Sequence, residues 1–314
     1  MKIDVCVVGE LNLDIVLYGL PKDLVMEREL LATGTAITLG SSSAIFAHNL
    51  SMLGTKVGFM SKIGKDPLGQ IALERLSASG VEVTQVKKTN TATSTGLSVI
   101  LPNRTQRYIL TYPGTMSELV YADLDLNYLR SARHLHISSF YLQNGLRPRV
   151  VDLFREAKAR GMSTSLDTND DPSDRWDRDV LEVLKHVDIF FPNDREVKKI
   201  AHNADLSSAL NTLCKLAKVV VVKRGASAAI CRTGDEQWSL APPPVQKVDD
   251  IGAGDTFAAG FIHRYLQNAS LESCLAYANA AGAYSATREG GTEAFRDRVQ
   301  MRAFFQLHEK SFPK

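Results

Sequence analysis

The sequence predicts an α/β fold, a central, mostly parallel β-sheet with helices on both faces, together with a small β-sheet standing off it. Two observations carry this reading. Along most of the chain, strand-like apolar runs alternate with helical segments, and repeated strand-helix units imply a parallel sheet covered on both sides. Short strand-like pieces at residues 13–16, 36–39, 95–101 and 107–112 interrupt that rhythm and bracket two helices, as an inserted sheet would. Taken in order, Val5-Cys6-Val7-Val8 is β-branched and apolar, the composition of a strand buried on both faces. A helix over residues 43–53 stops at Gly54 and leads into a strand at 57–60, and a second over 69–79 stops at Gly80. The strands at 95–101 and 107–112 are joined by the turn Pro102-Asn103-Arg104-Thr105. Val150, Val151, Leu153, Phe154 and Ala157 share one face of a helix over 149–160, which Gly161 breaks before a strand at 163–167. A strand at 187–191, a helix at 206–216 and strands at 219–223 and 228–232 continue the rhythm. We expect one domain over residues 1–314, with the small-sheet segments at about 11–39 and 92–115 inserted in it.

Composition excludes several function classes. Lys plus Arg number 37 against 35 Asp plus Glu, a net charge of +2, with no run of five basic residues and no basic-aromatic interleaving. No nucleic-acid partner is expected. Cys6, Cys214, Cys231 and Cys274 form neither a C-x-x-C pair nor a compact disulfide framework, which suits a reducing cytoplasm. Met1-Lys2-Ile3-Asp4-Val5 places an acid where a signal peptide needs apolar residues, and no segment reaches the ~18 apolar residues of a membrane span. His134 and His136 alternate on a predicted strand and could face one metal, but with no third ligand they read as packing residues.

The most informative stretch is Val248-Asp249-Asp250-Ile251-Gly252-Ala253-Gly254-Asp255-Thr256-Phe257, a turn opening into a helix. Two glycines let backbone amides face an anion, and the helix adds its positive dipole end. Asp255 would stand beside that anion. There it could take the proton from a hydroxyl attacking phosphorus, or simply complement the helix dipole. Ligands on parallel sheets collect at the carboxyl ends of strands, which singles out residues 9–14, 167–169, 192–196, 223–225 and 249–255.

Together these positions resemble the ribokinase, or phosphofructokinase B, family of carbohydrate kinases over nearly the whole chain. The residues that carry the resemblance are Asp249-Asp250-Ile251-Gly252-Ala253-Gly254-Asp255, Gly9-Glu10-Leu11-Asn12-Leu13-Asp14, Gly64-Lys65-Asp66-Pro67-Leu68-Gly69, Asn193-Asp194-Arg195-Glu196 and Ala278-Asn279-Ala280-Ala281-Gly282-Ala283, in the family's order. The resemblance implies a ribokinase-like fold in which the small sheet is a lid. It implies Asp255 as general base and the amides of Gly252, Ala253 and Gly254 as an anion hole. Asn193 and Glu196 match the motif that organises water-bound Mg2+ and the phosphates, and the same Asn-x-x-Glu spacing is a helix capping box. Asn12 and Asp14 fall at the sugar site, and Gly40-Ser41 where the family has a Gly-Gly pair. Lys223, Gly225 and Asn279 fall at the nucleotide site, and Asp249 with the carbonyl of Ile251 resembles a monovalent-cation loop for K+. Arg107 and Tyr112 on the lid hairpin, and Gln143 at a strand end, are candidate sugar contacts.

The chain departs from the family at three places: Ser41-Ser42-Ser43 replaces a glycine-rich run, Ile45 an asparagine that contacts sugar, and Asp250 a threonine. The implied activity is ATP-dependent phosphorylation of a hydroxymethyl group of a small monosaccharide, with a nucleoside kinase of the same fold as the alternative. A non-catalytic sugar sensor would have lost the base or the glycines, and a dinucleotide-dependent dehydrogenase needs a Gly-x-Gly-x-x-Gly turn where this chain has Gly9-Glu10-Leu11-Asn12. The resemblance also implies a homodimer through the lid.

Overall fold

The computed structural model describes residues 3–103, 106–309 and 312–313. The chain opens with β1 (Val5–Val8), runs out through β2 (Leu13–Tyr18) and β3 (Gly34–Leu39), and returns as α1 (Ser42–Met52), β4 (Val57–Ile63), α2 (Pro67–Ala78) and β5 (Glu82–Lys88). A second excursion forms β6 (Leu97–Asn103) and β7 (Gln106–Tyr112), followed by α3 (Leu126–Leu129) and β8 (His134–Ser138). Then come α4 (Val150–Ala159), β9 (Ser163–Asp167), α5 (Asp179–Leu184), β10 (Ile189–Phe190), α6 (Asp194–Ile200), α7 (Leu206–Leu213), β11 (Val219–Val222), β12 (Ala229–Thr233) and β13 (Glu236–Leu240). Four helices close the chain: α8 (Ala253–Tyr265), α9 (Leu271–Ser285), α10 (Glu293–Arg296) and α11 (Arg298–Glu309).

The large sheet has nine strands in the order β13-β12-β11-β10-β9-β8-β1-β4-β5. Every pairing from β11 to β5 is parallel, and only β12 and β13 run antiparallel at one edge. Both faces are buried, and β1 shows why its sequence is continuously apolar. Val5 and Val7 enter the core under α1, α2, α8 and α9, while Cys6 and Val8 enter the core under α4 to α7 on the other face. All four residues are fully buried.

The small sheet has the order β3-β2-β6-β7, and the period of two divides its side chains cleanly. Asp14, Ser98, Ile100, Arg107, Ile109 and Thr111 face inward over the ends of the large sheet. Val99, Tyr108, Leu110 and Tyr112 face outward, with Ile37, Tyr108, Leu110 and Tyr112 about half exposed, while Leu97 at the base of β6 packs against the main core. Tyr112 therefore cannot share a site with Arg107, because five residues along a strand separate opposite faces. The reversal predicted at Pro102-Asn103-Arg104-Thr105 falls between β6 and β7, with Arg104 and Thr105 outside the described residues.

Several predicted boundaries shift for local reasons. The second helix starts at Pro67 because Asp66 caps it, accepting the Gly69 amide at 3.0 Å, and proline suits the first helical position. The strand predicted over residues 187–191 pairs only at Ile189 and Phe190. The two strand histidines are packing residues: His134 bonds the hydroxyls of Ser163 and Ser165 at 2.7 Å, and His136 stacks on Phe46. Burial holds His134 at a pKa of about 3, so it is neutral. Among the described residues no group of three or more His, Cys, Asp or Glu could hold a metal ion, and no helix is long and apolar enough to cross a membrane. All four cysteines are free.

Candidate active site

A cavity of about 860 Å³ opens between the small sheet and the carboxyl ends of the parallel strands. At its floor α8 begins. Gly252 takes a left-handed conformation (φ 69°), and a Cβ there would come within 2.7 Å of Gly291 Cα and 2.9 Å of Ile45 Cγ2. Glycine is thus required twice, by backbone and by space. Gly252 and Gly254 line the cavity. The Ala253 amide instead donates to the Asp250 carbonyl at 3.2 Å, so of the three expected anion-hole donors it is the one already engaged. Ile45, which stands where an asparagine was expected, seals the turn with apolar contact against Gly252 and Gly291.

Asp255 lies in the first turn of α8 and faces the same cavity. Its pKa is raised to about 7, first by burial and then by the charge of Asp167, against the pull of Lys223 and a hydrogen bond from Ser42. Lys223, at the end of β11, is ion-paired with Asp167 at the end of β9, and their side chains are 12% and 1% exposed. Burial works against the Lys223 charge, but Asp167 and Glu196 more than offset it and raise its pKa, so it stays cationic. Such a pair is held by mutual need, since removing one partner of a buried ion pair typically destabilises by about 3–5 kcal/mol.

Asn193 and Glu196 make the full capping box of α6. Asn193 Oδ1 accepts the Glu196 amide at 2.9 Å, and Glu196 Oε2 accepts the Asn193 amide at 2.9 Å. Glu196 is nonetheless in the cavity wall, with its pKa raised to about 7, chiefly by burial and opposed by Lys223.

At the opposite end, Asn12 and Asp14 reach in from the start of β2. Asp14 is 5% exposed and has its pKa raised to about 7 by burial, opposed by hydrogen bonding to Ser98 and by Arg107. Gly40 lies beneath it and does not line the cavity; a Cβ there would sit 2.2 Å from Asp14 Oδ1, so Gly40 acts by making room. Ser41 does line the cavity, donating from Oγ to the Glu10 carbonyl at 2.9 Å. Arg107 lines it too, and reaches from the small sheet to pair with Asp250, the residue that stands where threonine was expected. Asn12 Oδ1 and Tyr141 Oη are buried in this wall with no hydrogen-bond partner among the described residues.

Three expected contacts sit elsewhere. Gln143 lies past the end of β8 and is 1% exposed, with Nε2 donating to Glu10 Oε2 at 3.2 Å and to the Ser138 carbonyl; it supports the wall from behind. Gly225 is exposed, and Asn279 is buried in α9 with Nδ2 on the Leu240 carbonyl at 2.8 Å; both lie outside the cavity. Asp249 is occupied by donors: Oδ1 accepts the Ile251 amide at 2.9 Å, and Oδ2 accepts the Tyr18 hydroxyl at 3.2 Å and the Gly290 amide at 3.1 Å.

Ser139 and Tyr141 escaped the sequence reading, and Glu10, Asn169 and Ser42 were noted only within the strand-end segments 9–14 and 167–169 and the serine run, with no role; all five line the cavity. Ser139 and Tyr141 follow the end of β8, the one signal that could have flagged them, since serine and tyrosine there carry no motif of their own. Ser41, Ser139 and Asn169 all have positive φ (61°, 54° and 52°), a conformation uncommon for serine and readily taken by asparagine.

The sequence profile of the pfkB family carbohydrate kinases matches residues 2–298, so the chain belongs to that family. Its enzymes phosphorylate sugars, and this protein is a carbohydrate kinase. An ATP-dependent ribose-1-phosphate kinase of Halopiger xanaduensis is 30% identical over 81% of this chain and 82% of its own length. A 2-dehydro-3-deoxygluconokinase of Bacillus subtilis is 27% identical over 87% and 89%. Among solved structures, the ribokinase of Arabidopsis thaliana complexed with ribose and ATP superposes with a TM-score of 0.81 at 25% identity, covering 98% of this chain and 99% of that one. The large parallel sheet with its separate four-stranded sheet is the ribokinase-like fold.

Proposed function

We propose that the protein transfers the γ-phosphoryl group of ATP to a hydroxymethyl group of a small monosaccharide, with Asp255 as general base. The observation that carries this is that Asp255, in the first turn of the helix Gly252 opens, shares one cavity with Asp14 on β2 and Asn12 just before it. A hydroxyl held by Asp14 and Asn12 can face both the base and the phosphorus. The amides of Gly252 and Gly254 stabilise charge on the transferring group, and Lys223 and Asn193 lie where phosphates would be held. Raising Asp255 to about 7 suits a group that must accept a proton near neutral pH.

Among the described residues the carboxylates of the wall form no group of three that could hold a metal ion, so the residues fit Mg2+ carried on the ATP phosphates, most of its waters kept and Glu196 acting through one of them. Bound Mg2+ would neutralise charge developing on the phosphates. A K+ ion beside Asp249 would depend on backbone carbonyls such as that of Ile251, because the Asp249 oxygens already accept three donors. The small sheet acts as a lid on a single kinase domain and excludes water that would compete for the phosphoryl group. Its outward apolar face supports a homodimer formed lid to lid, and the free cysteines suit a cytoplasmic protein.

ADP formation against a panel of pentoses, ketohexoses, 2-keto-3-deoxy acids and nucleosides tests the reading. Turnover is expected with one of the sugars. Turnover confined to nucleosides would replace it with the nucleoside-kinase reading, and none with any acceptor would contradict both.

A further inference from the structure

A line of side chains joins two buried carboxylates across the cavity wall. Asn169 Nδ2 donates to Ser42 Oγ and to Ser139 Oγ, the second at 3.0 Å. An amide nitrogen only donates, so both hydroxyls accept from it and must turn their own protons away. Ser139 Oγ donates onward to Glu10 Oε1 at 2.7 Å. At the other end Ser42 shares the cavity wall with Asp255, and its hydroxyl acts to lower the Asp255 pKa.

We propose that Asn169 and Ser42 are positioning residues for Asp255. Asn169 fixes the rotor of the Ser42 hydroxyl, and Ser42 then occupies one oxygen of the carboxylate and leaves the other for the acceptor hydroxyl. The far end of the line is immobile, because Glu10 also accepts the Ser43 amide at 3.2 Å, Ser43 Oγ at 2.8 Å and Gln143 Nε2 at 3.2 Å. Within the line Ser139 takes a positive φ, as does Ser41 immediately before Ser42, a conformation uncommon for serine. The arrangement depends on this chain's serines, which stand where a glycine-rich run was expected.

A hydrogen bond to the ionised form lowers a carboxylate's pKa, so losing Ser42 moves Asp255 upward. The other groups that set it are Asp167 and Glu10, which raise it, and Lys223, which lowers it; none is altered by the substitutions below.

The proposal rests on the reading of Asp255 as base. The test is the pH profile of kcat/KM for Ser42→Ala, Ser42→Thr and Asn169→Leu, with Asp255→Asn as reference. Ser42→Ala is expected to lower kcat about 10-fold and to move the acid limb to higher pH, with KM for ATP little changed. Asn169→Leu moves both in the same direction by less, and Ser42→Thr, which keeps the hydroxyl, returns them toward wild type. An unmoved acid limb in both Ser42→Ala and Asn169→Leu overturns the positioning role while Asp255→Asn stays inactive. An active Asp255→Asn instead overturns the base assignment itself.

Discussion

At the α8 end of the cavity the proposed working groups are backbone amides and one acid, set by a glycine at a positive φ with no room for a Cβ; at the end under the small sheet they are side chains from β2, β6 and β7. The first end is stiff. Gly252 touches Gly291 and Ile45, and Asp255 is held among Asp167, Lys223 and Ser42. The second end closes through long-range polar contacts, the exposed pair Arg107–Asp250 and the part-buried bonds of Tyr18 to Asp249 and Thr38 to Glu293. The exposed pair contributes only about 0–1 kcal/mol, so the lid end is held by few polar contacts. On the proposed reading, transfer chemistry belongs to the α8 half and acceptor choice to the half under the small sheet.

The largest expected effect comes from breaking the rigid half. Gly252→Ala puts a Cβ into Gly291 and Ile45 at a positive φ, which displaces the amides; kcat is expected to fall about 10²–10³-fold, measured as ADP formation at saturating ATP and acceptor. A smaller and different effect follows in the other half. Asp14→Ala removes charged hydrogen bonds worth about 1.5–3 kcal/mol each and should raise KM for the acceptor about 10-fold or more, with KM for ATP little changed. An altered ATP dependence with unchanged acceptor dependence would place Asp14 in the wrong half. The smallest catalytic effect is expected on the outward face, where Leu110 is 58% exposed. Leu110→Glu should give a monomer mass by light scattering at micromolar concentration where wild type gives a dimer, with kcat within about twofold, since the side chain points away from the cavity.

These two halves were unequally legible in the sequence. The α8 end was readable because a Gly-x-Gly turn, a following helix and a first-turn acid are adjacent in the chain, and adjacency survives without coordinates. The parallel sheet was readable for a similar reason, since strands buried on both faces are apolar throughout, as in Val219–Val222. What escaped is what depends on long-range partners. Asp167 meets Lys223 across 56 residues and Asn169 meets Ser42 across 127, and neither pairing has a local pattern. Gln143 was misplaced because the chain turns after Ser138 and buries it behind Glu10. Tyr112 was avoidable, because strand parity alone puts it opposite Arg107.

The central claim is that Asp255 takes the proton from the acceptor hydroxyl, and the pH dependence of turnover in wild type and Asp255→Asn tests it most directly. Burial raises the Asp255 pKa to about 7, so the active, ionised form is lost as pH falls through that value. Wild-type kcat/KM should therefore fall about tenfold per pH unit below about 7 and level off above it. Asp255→Asn should bind ATP and acceptor with near wild-type affinity, turn over at least about 10³-fold more slowly, and show no such limb. Turnover in Asp255→Asn close to wild type, with the acid limb still in place, would contradict the account.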